Sequence, residues 1–278
     1  MSIILEKNNF NEFRARRRKC LHDPTALLVL QNVLSSAIES NGIQFSSIKK
    51  IKTNKKNNIY LRYHRRTKND NEYCLKKSYL PDYYYLDKNG YSGWAEICNN
   101  PNILKIIDSV SDQDAIEFYD KFSNDYLPKR ISKIKQEESD FKVNTPFVFV
   151  PMQVRHDSVM KLARIKTVKL ANYCIKAFAN TEYKVVLKPH PRAKKAINRV
   201  EGTDMSHVVI TDASIHDIIP KAAAVYVVNS GVGFESLLYL KKVFSSGGSD
   251  YSYAANEIST YEDILNSISL IKDEYDVT

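Results

Sequence analysis

The chain reads as α/β, with a doubly wound parallel sheet in its carboxyl-terminal half. Three observations carry that reading. Apolar runs too short for helices recur at 147–151, 184–188, 207–211, 224–229 and 243–246, rich in Val, Ile and Phe. Segments of helical periodicity separate them, at 158–179, near 193–200, at 214–222 and at 232–240. The strands are nearly continuous in apolar residues, as strands covered by helices on both faces must be.

The amino-terminal half is less regular. Asp23-Pro24 is a helix-start signal, and Ala26, Leu27, Leu30, Val33, Leu34, Ala37 and Ile38 follow at helical spacing until Gly42. Ile59 to Tyr63 is a candidate strand, and Tyr79 to Gly93 reads as an irregular, tyrosine-rich functional stretch. Residues 114–134 read as helical, and the polar segment from Lys133 to Asn144 serves as the domain boundary. Near the end, Ser259 and Glu262 make a capping-box pattern ahead of Ile264, Leu265, Ile268 and Ile271. The expected organisation is one domain at 1–140, a second at 145–250 and a closing helix at 251–278 that packs back toward the first domain. Each half can form a Rossmann-like unit, the two facing a cleft.

A chain of 278 residues with 43% hydrophobic content buries a sizeable core. With no run of about 18 apolar residues and no long apolar core at Met1 to Lys7, the expected site of action is cytoplasmic. Cys20, Cys74, Cys98 and Cys174 lack C-x-x-C spacing and read as reduced thiols. The net charge of +9 gathers at Arg14 to Lys19, at Lys49 to Lys56 and at Arg65, Arg66 and Lys68. Such clusters suit a nucleotide or acidic glycan, an anionic inner-membrane face or nucleic acid, or are simply solvated. Nucleic acid is the disfavoured partner, because no aromatic interleaving or zinc-finger spacing accompanies the charge.

Two turns carry the chemistry. Lys188-Pro189-His190-Pro191-Arg192 follows one apolar run, and Asn229-Ser230-Gly231-Val232-Gly233-Phe234-Glu235 follows another. In an open α/β sheet both turns lie at the carboxyl edge, where ligands bind. His190, Lys188 and Arg192 on a proline-stiffened turn suit a phosphate. Ser230 and Gly231 open a helix whose free N–H groups suit the same anion. Glu235 either accepts ribose hydroxyls or only complements the helix dipole. The G-x-G pattern does not make a dinucleotide fingerprint, since Ser236 stands at the third glycine position. Asp157 either caps a helix or acts as a carboxylate on an anomeric carbon, with Gln153, Arg155 and His156 in the same loop. Tyr91, Ser92 and Trp94, with Gln153 and Arg192, are candidate sugar or acceptor contacts. Asp112-Gln113-Asp114 has the form of a metal-binding D-x-D pattern but opens a helix, where acids are expected anyway. No metal site is assigned.

Together, Phe147 to Ser158, Lys188 to Pro191, and Val227 to Leu238 resemble the bacterial capsular polysaccharide synthesis family, which includes retaining β-Kdo glycosyltransferases. Asp87 to Trp94 extends the resemblance to about residues 70–250. The resemblance implies a GT-B architecture, a CMP-Kdo donor, a glycan or glycolipid acceptor in capsule or lipopolysaccharide synthesis, and work at the cytoplasmic face of the inner membrane. It makes His190, Ser230 and Glu235 nucleotide ligands, Asp157 the nucleophile and Glu72 the upstream active-site glutamate. The match departs from the family after Glu72, where Cys74-Leu75-Lys76-Lys77-Ser78 replaces a more apolar, arginine-bearing run, and in the short chain. No cofactor is implied, because one phosphate on the leaving group can be met by protein donors. Another CMP-sugar transferase, such as a sialyltransferase, and a non-catalytic sugar-nucleotide- or glycan-binding subunit remain alternatives.

Overall fold

Along the strand Phe147–Pro151, even and odd residues enter two different cores, and this sets the layers of the carboxyl-terminal unit. The structure is a computed structural model and describes residues 2–6, 24–48, 51, 54–80, 83–134, 136, 140–202 and 204–272. The cluster Arg14 to Lys19, Cys20 and the Asp23 cap lie outside the described residues. The chain divides into two compact units, 1–99 and 100–278.

In the first unit, β1 (Ser2–Glu6), β2 (Gln44–Ile48), β3 (Asn58–Tyr63), β4 (Glu72–Lys77) and β5 (Tyr84–Asp87) form one sheet in the order β2-β1-β3-β4-β5. All pairings are parallel except β4 with β5. Helix α1 (Pro24–Glu39) joins β1 to β2, and Leu30 and Leu34 pack on Leu5, Leu61 and Leu75. Gly42, at φ +71°, supplies the left-handed residue that turns the chain out of the helix. β5 lies inside the stretch expected to be irregular, and β1, β2 and β4 carry too few alternating apolar residues to be read as strands.

In the second unit, β6 (Phe147–Pro151), β7 (Lys184–Lys188), β8 (Val208–Ile210), β9 (Ala224–Val227), β10 (Val243–Ser245) and β11 (Asn256–Glu257) are all parallel, in the order β11-β10-β9-β6-β7-β8. This is the doubly wound order of dinucleotide-binding halves, whose reversal falls between β6 and β9. Val148, Val150, Val185, Leu187, Ala224 and Tyr226 face one core, completed by α4 (Thr167–Phe178) and α7 (Tyr261–Lys272). Phe147, Phe149, Val186, Val225 and Val227 face the other, completed by α5 (Ile215–Ile218) and α6 (Gly231–Leu238).

Several expected boundaries move, each for a local reason. Helices α2 (Ile103–Asp108) and α3 (Asp112–Tyr126) precede β6, and α3 stops well before residue 134. Pro128 has no N–H to continue it, and Arg130 turns left-handed at φ 49°. Ser111 caps α3 by accepting the Asp114 N–H. The helix expected over 158–179 is a 3-10 turn, Ser158–Leu162, followed by α4. Between them Ala163 bridges Gly247 and the Arg164 N–H donates to the Ser246 carbonyl, so this stretch pairs with the loop after β10 instead of coiling. The cap of α7 is displaced by one residue. Thr260 Oγ1 accepts the Asp263 N–H, and Asp263 accepts the N–H groups of Ser259 and Thr260. That helix packs on α4 within its own unit.

The unit boundary falls after Asn99, ahead of the polar segment that suggested it. Residues 100–144 are tied to the second unit by Tyr119 Oη to the Leu238 carbonyl (2.8 Å), Arg130 to Asp217 (2.6 Å) and Ser132 to Glu235 (2.5 Å). No helix among the described residues is long and apolar enough to cross a membrane.

Candidate functional site

The reversal of strand order leaves a crevice at the carboxyl ends of β6 and β9, because the connections from these neighbours depart to opposite faces. Gln153 and Asn229, just past the two strands, close its floor. Gln153 Nε2 donates to Asn229 Oδ1 at 3.0 Å, and Asn229 Nδ2 donates to the carbonyls of Val159 (2.9 Å) and Gly248 (3.2 Å). Asn229, 2% exposed, thus holds the loops after β6, β9 and β10 in one register. Its place in the motif was legible in the sequence; the partners that give it this role come from loops far away in the chain. Gln153 is committed to this strut, with its own N–H donated to Thr167 Oγ1 at 3.0 Å, so it is a frame residue in this structure rather than a sugar contact.

On the β7 side, His190 Nδ1 accepts the backbone N–H of Arg192 at 3.0 Å, which leaves the proton on Nε2. Burial pushes the imidazole down to about 4, with Arg192 and Lys188 adding and Asp157 opposing. At neutral pH the turn therefore presents a neutral Nε2–H donor. Lys188 is not aimed at a ligand. It is 8% exposed, and its Nζ donates to the carbonyls of Asp212 (2.8 Å) and Ala213 (2.5 Å), pinning the loop after β8 to the end of β7. Its charge still acts on His190. Asp157 is exposed and caps the 3-10 turn through a long bond from the Val159 N–H, 3.4 Å. Asp157 and Arg192 thus both act on the charge of His190.

On the β9 side, Ser230 caps α6 by accepting the Val232 N–H at 3.3 Å, and Gly231 is the first helical residue. The turn is held from behind by Tyr251, whose hydroxyl donates to the Ser230 carbonyl at 2.7 Å. This contact requires Gly233: a Cβ there would stand 2.5 Å from Tyr251 Oη and 3.0 Å from Val227 Cγ2. Gly233→Ala is expected to expel Tyr251, break its bond to Ser230 and cost about 1–3 kcal/mol, read as a lower urea midpoint at unchanged slope. Glu235 lies deeper, 5% exposed, and receives the Ser132 hydroxyl at 2.5 Å. Burial pushes its carboxyl up to about 7, against the Ser132 bond and the nearby Lys133.

The remaining candidates lie in the first unit. Asp87 gathers the N–H groups of Asn89 (2.7 Å), Gly90 (2.7 Å) and Glu96 (2.9 Å) and so shapes the loop carrying Tyr91, Ser92 and Trp94. Tyr91 and Ser92 are buried, Arg66 lies over the partly exposed Trp94 ring at 5.2 Å, and Lys76 over Tyr91 at 4.0 Å. Glu72 does not have the surroundings of a catalytic acid. It is 0% exposed, and its oxygens accept from Arg62 (2.5 Å), Asn69 (2.8 Å), Asn54 (3.1 Å) and the Lys68 N–H (3.0 Å). Burial alone would raise its pKa, but these donors, Arg62 foremost, bring it below the usual value. Arg62 also pairs with buried Glu6 at 2.7 Å, so Glu72 belongs to a structural ion cluster.

The structure resembles Thermosulfurimonas dismutans KpsC, a beta Kdo 2,7 transferase, with a TM-score of 0.61 and 17% identity over 94% of this chain and 84% of that one. It also resembles a Thermosulfurimonas dismutans KpsC beta Kdo 2,4 transferase, with a TM-score of 0.60 and 13% identity over 95% of this chain and 85% of that one. At these identities the likeness is one of fold, α/β and GT-B-like. No curated protein sequence matches the chain. The capsule polysaccharide biosynthesis protein model matches residues 111–256, the span that contains β6 to β10, the start of β11 and both ligand-suited turns. The chain belongs to the capsule polysaccharide biosynthesis protein family.

Proposed function

We propose that this chain is a glycosyltransferase of bacterial surface-polysaccharide synthesis, with CMP-Kdo as donor, a glycan or glycolipid as acceptor, and retention at the anomeric carbon. The observation that carries the reading is the electrostatic coupling of Asp157, in the loop after β6, to His190, in the turn after β7, with the capped start of α6 following the adjoining strand β9. The fold likeness to two structures described as beta Kdo transferases, together with family membership, supports it.

In the proposed reaction the Asp157 carboxylate attacks the anomeric carbon, the bond to the CMP phosphate oxygen breaks, and CMP departs. An acceptor hydroxyl, losing its proton to solvent or a base, then displaces the carboxylate, so two inversions give retention. Charge growing on the leaving phosphate is met by the neutral His190 Nε2–H, by Arg192 and by the N–H groups that open α6. A phosphate placed there opposes the effect of the neighbouring cations and moves the imidazole pKa back toward its ordinary value. With one phosphate to stabilise, the scheme routes no step through a metal. Lys188 and Gln153 act as frame, and Glu235 as acceptor of the ribose hydroxyls.

His190→Ala is expected to weaken CMP binding about ten- to a hundredfold, the worth of a hydrogen bond to a charged group, in isothermal titration calorimetry. Unchanged affinity removes His190 from the site. The same preparation is to be offered CMP-Kdo and CMP-sialic acid with CMP release as readout. Release from CMP-Kdo supports the reading, release from CMP-sialic acid alone assigns another CMP-sugar, and binding without release marks a non-catalytic subunit.

A further inference from the structure

Behind the α6 turn, Glu235 heads a chain of three further polar groups that the proposed transfer does not use. Ser132 Oγ donates to Glu235 Oε1 at 2.5 Å and lies 2.9 Å from His216 Nε2, and His216 Nδ1 lies 2.8 Å from the Tyr239 hydroxyl. Ser132 comes from the connector after α3, His216 from α5, and Glu235 and Tyr239 from α6 and its end. With Glu235 ionised, donor counting fixes the direction of every bond. A serine hydroxyl has one proton, and a neutral imidazole has one donor and one acceptor nitrogen. Burial keeps His216 neutral, down to about 4, with Arg130 adding and Asp217 opposing. The Ser132 proton is committed to the carboxylate, so His216 Nε2–H donates to Ser132 Oγ and the Tyr239 hydroxyl donates to Nδ1. All three bonds point toward Glu235, the arrangement that favours its ionised form.

We propose that Ser132 and His216 are positioning residues of the nucleotide site, which aim the Glu235 carboxylate at the ribose hydroxyls and carry a proton between Tyr239 and Glu235. The inference rests on the nucleotide reading of the site. The relay balances as follows. Tyr239, which is partly exposed, takes a proton from solvent and passes its own to Nδ1; Nε2 passes its proton to Ser132, and Ser132 passes its proton to Glu235. The result is a neutral carboxyl, the other imidazole tautomer and three hydrogen bonds kept but reversed. Charge at Glu235 therefore changes without loss of the frame. The other charged or titratable groups acting on the carboxylate are Lys133, which favours its charge, and Tyr126 and Tyr239, whose ionisation it opposes. Arg130 and its ion-pair partner Asp217 act on His216 and Tyr239.

Because ribose hydroxyls donate better to a carboxylate than to a carboxylic acid, affinity is expected to fall as pH falls through about 7, where Glu235 takes its proton. The test uses the full chain with CMP and dideoxycytidine monophosphate as probes, by calorimetry across about pH 5.5 to 8.5. The dideoxy probe carries the same phosphate and lacks the ribose hydroxyls, so the difference between the two isolates Glu235. Wild type is expected to lose about tenfold in CMP affinity toward acid beyond the dideoxy control. In Ser132→Ala, carbon-13 NMR of the unliganded protein should show the Glu235 titration displaced upward, with the CMP midpoint following it. Ser132→Thr should restore both, and His216→Gln, which keeps a donor but not the relay, should lower affinity with little loss of fold. A lower melting temperature with an unmoved Glu235 titration makes Ser132 merely structural and overturns the relay. A displaced titration with equal pH profiles for the two probes overturns the positioning role while leaving the nucleotide reading intact. Absence of CMP binding at every pH overturns that reading, and the positioning role with it.

Discussion

Asp157→Asn is expected to abolish transfer, by about a thousandfold or more, the usual scale for removing a nucleophile, while CMP affinity stays within about threefold. The asymmetry follows from where the residue stands. Asp157 is exposed, and its local bonds are the long ones from the Val159 N–H and the Ser158 hydroxyl, which the amide oxygen of asparagine accepts equally well. Asp157→Ala, which forfeits that cap, should lose the same activity and a little more stability, at most about 1 kcal/mol. The measurement is CMP release from CMP-Kdo beside calorimetric CMP binding for both variants. Undiminished turnover in Asp157→Asn removes the residue from the reaction. A parallel loss of turnover and CMP affinity gives it a binding role instead.

Arg62→Met is expected to destabilise the first unit by about 3–5 kcal/mol, because it strands two buried carboxylates with no cation between them. Arg62 reaches Glu6 at 2.7 Å and Glu72 at 2.5 Å, and both acids are almost wholly buried. The sign of the pH dependence gives the sharper check. In the wild-type protein the Glu72 pKa lies below its ordinary value, so its contribution is present above the unfolded pKa and is lost as acid carries the pH down through the folded one. Without Arg62 only the Asn54, Asn69 and Lys68 donors oppose the burial, so the folded pKa is expected to rise above the unfolded one and the variant to become more stable as pH falls. Thermal unfolding at neutral and mildly acidic pH should therefore move in opposite directions for the two proteins. Replacing all three members with uncharged residues of similar size, Glu6→Gln, Arg62→Met and Glu72→Gln, is expected to recover most of the loss. If Arg62→Met unfolds like the wild type, the cluster is not a structural support, and Glu72 returns as a candidate for chemistry.

The same two residues show what a single sequence conveys. Asp157 was legible because its signal is local: a short apolar run, a turn, an acid and a helical continuation, all within a few residues of one another. Lys188-Pro189-His190-Pro191-Arg192 and Asn229 to Glu235 were legible for the same reason. Strand-to-helix turns of a parallel sheet converge at its carboxyl edge, so finding the strands places the turns. The surroundings of Glu72 are not legible, because they are assembled from Glu6, Asn54, Arg62 and Asn69, and a sequence displays an acid but not the cation that will face it. The same holds for Lys188 and Gln153, whose partners, the carbonyls of Asp212 and Ala213 and the amide of Asn229, lie far away in the sequence.

Local patterning by itself determined the α/β class, the strands and turns of the carboxyl-terminal half and the two anion-suited turns, because side-chain periodicity, proline and glycine act within a few residues of backbone. Only the tertiary structure decided where the units divide, which polar side chains are frame and which face the crevice, and that Ser132, His216 and Tyr239 stand behind Glu235. Those outcomes depend on which distant groups meet once water is excluded. Burial then sets the cost of every unpaired charge, and a serine some hundred residues from a glutamate becomes its partner.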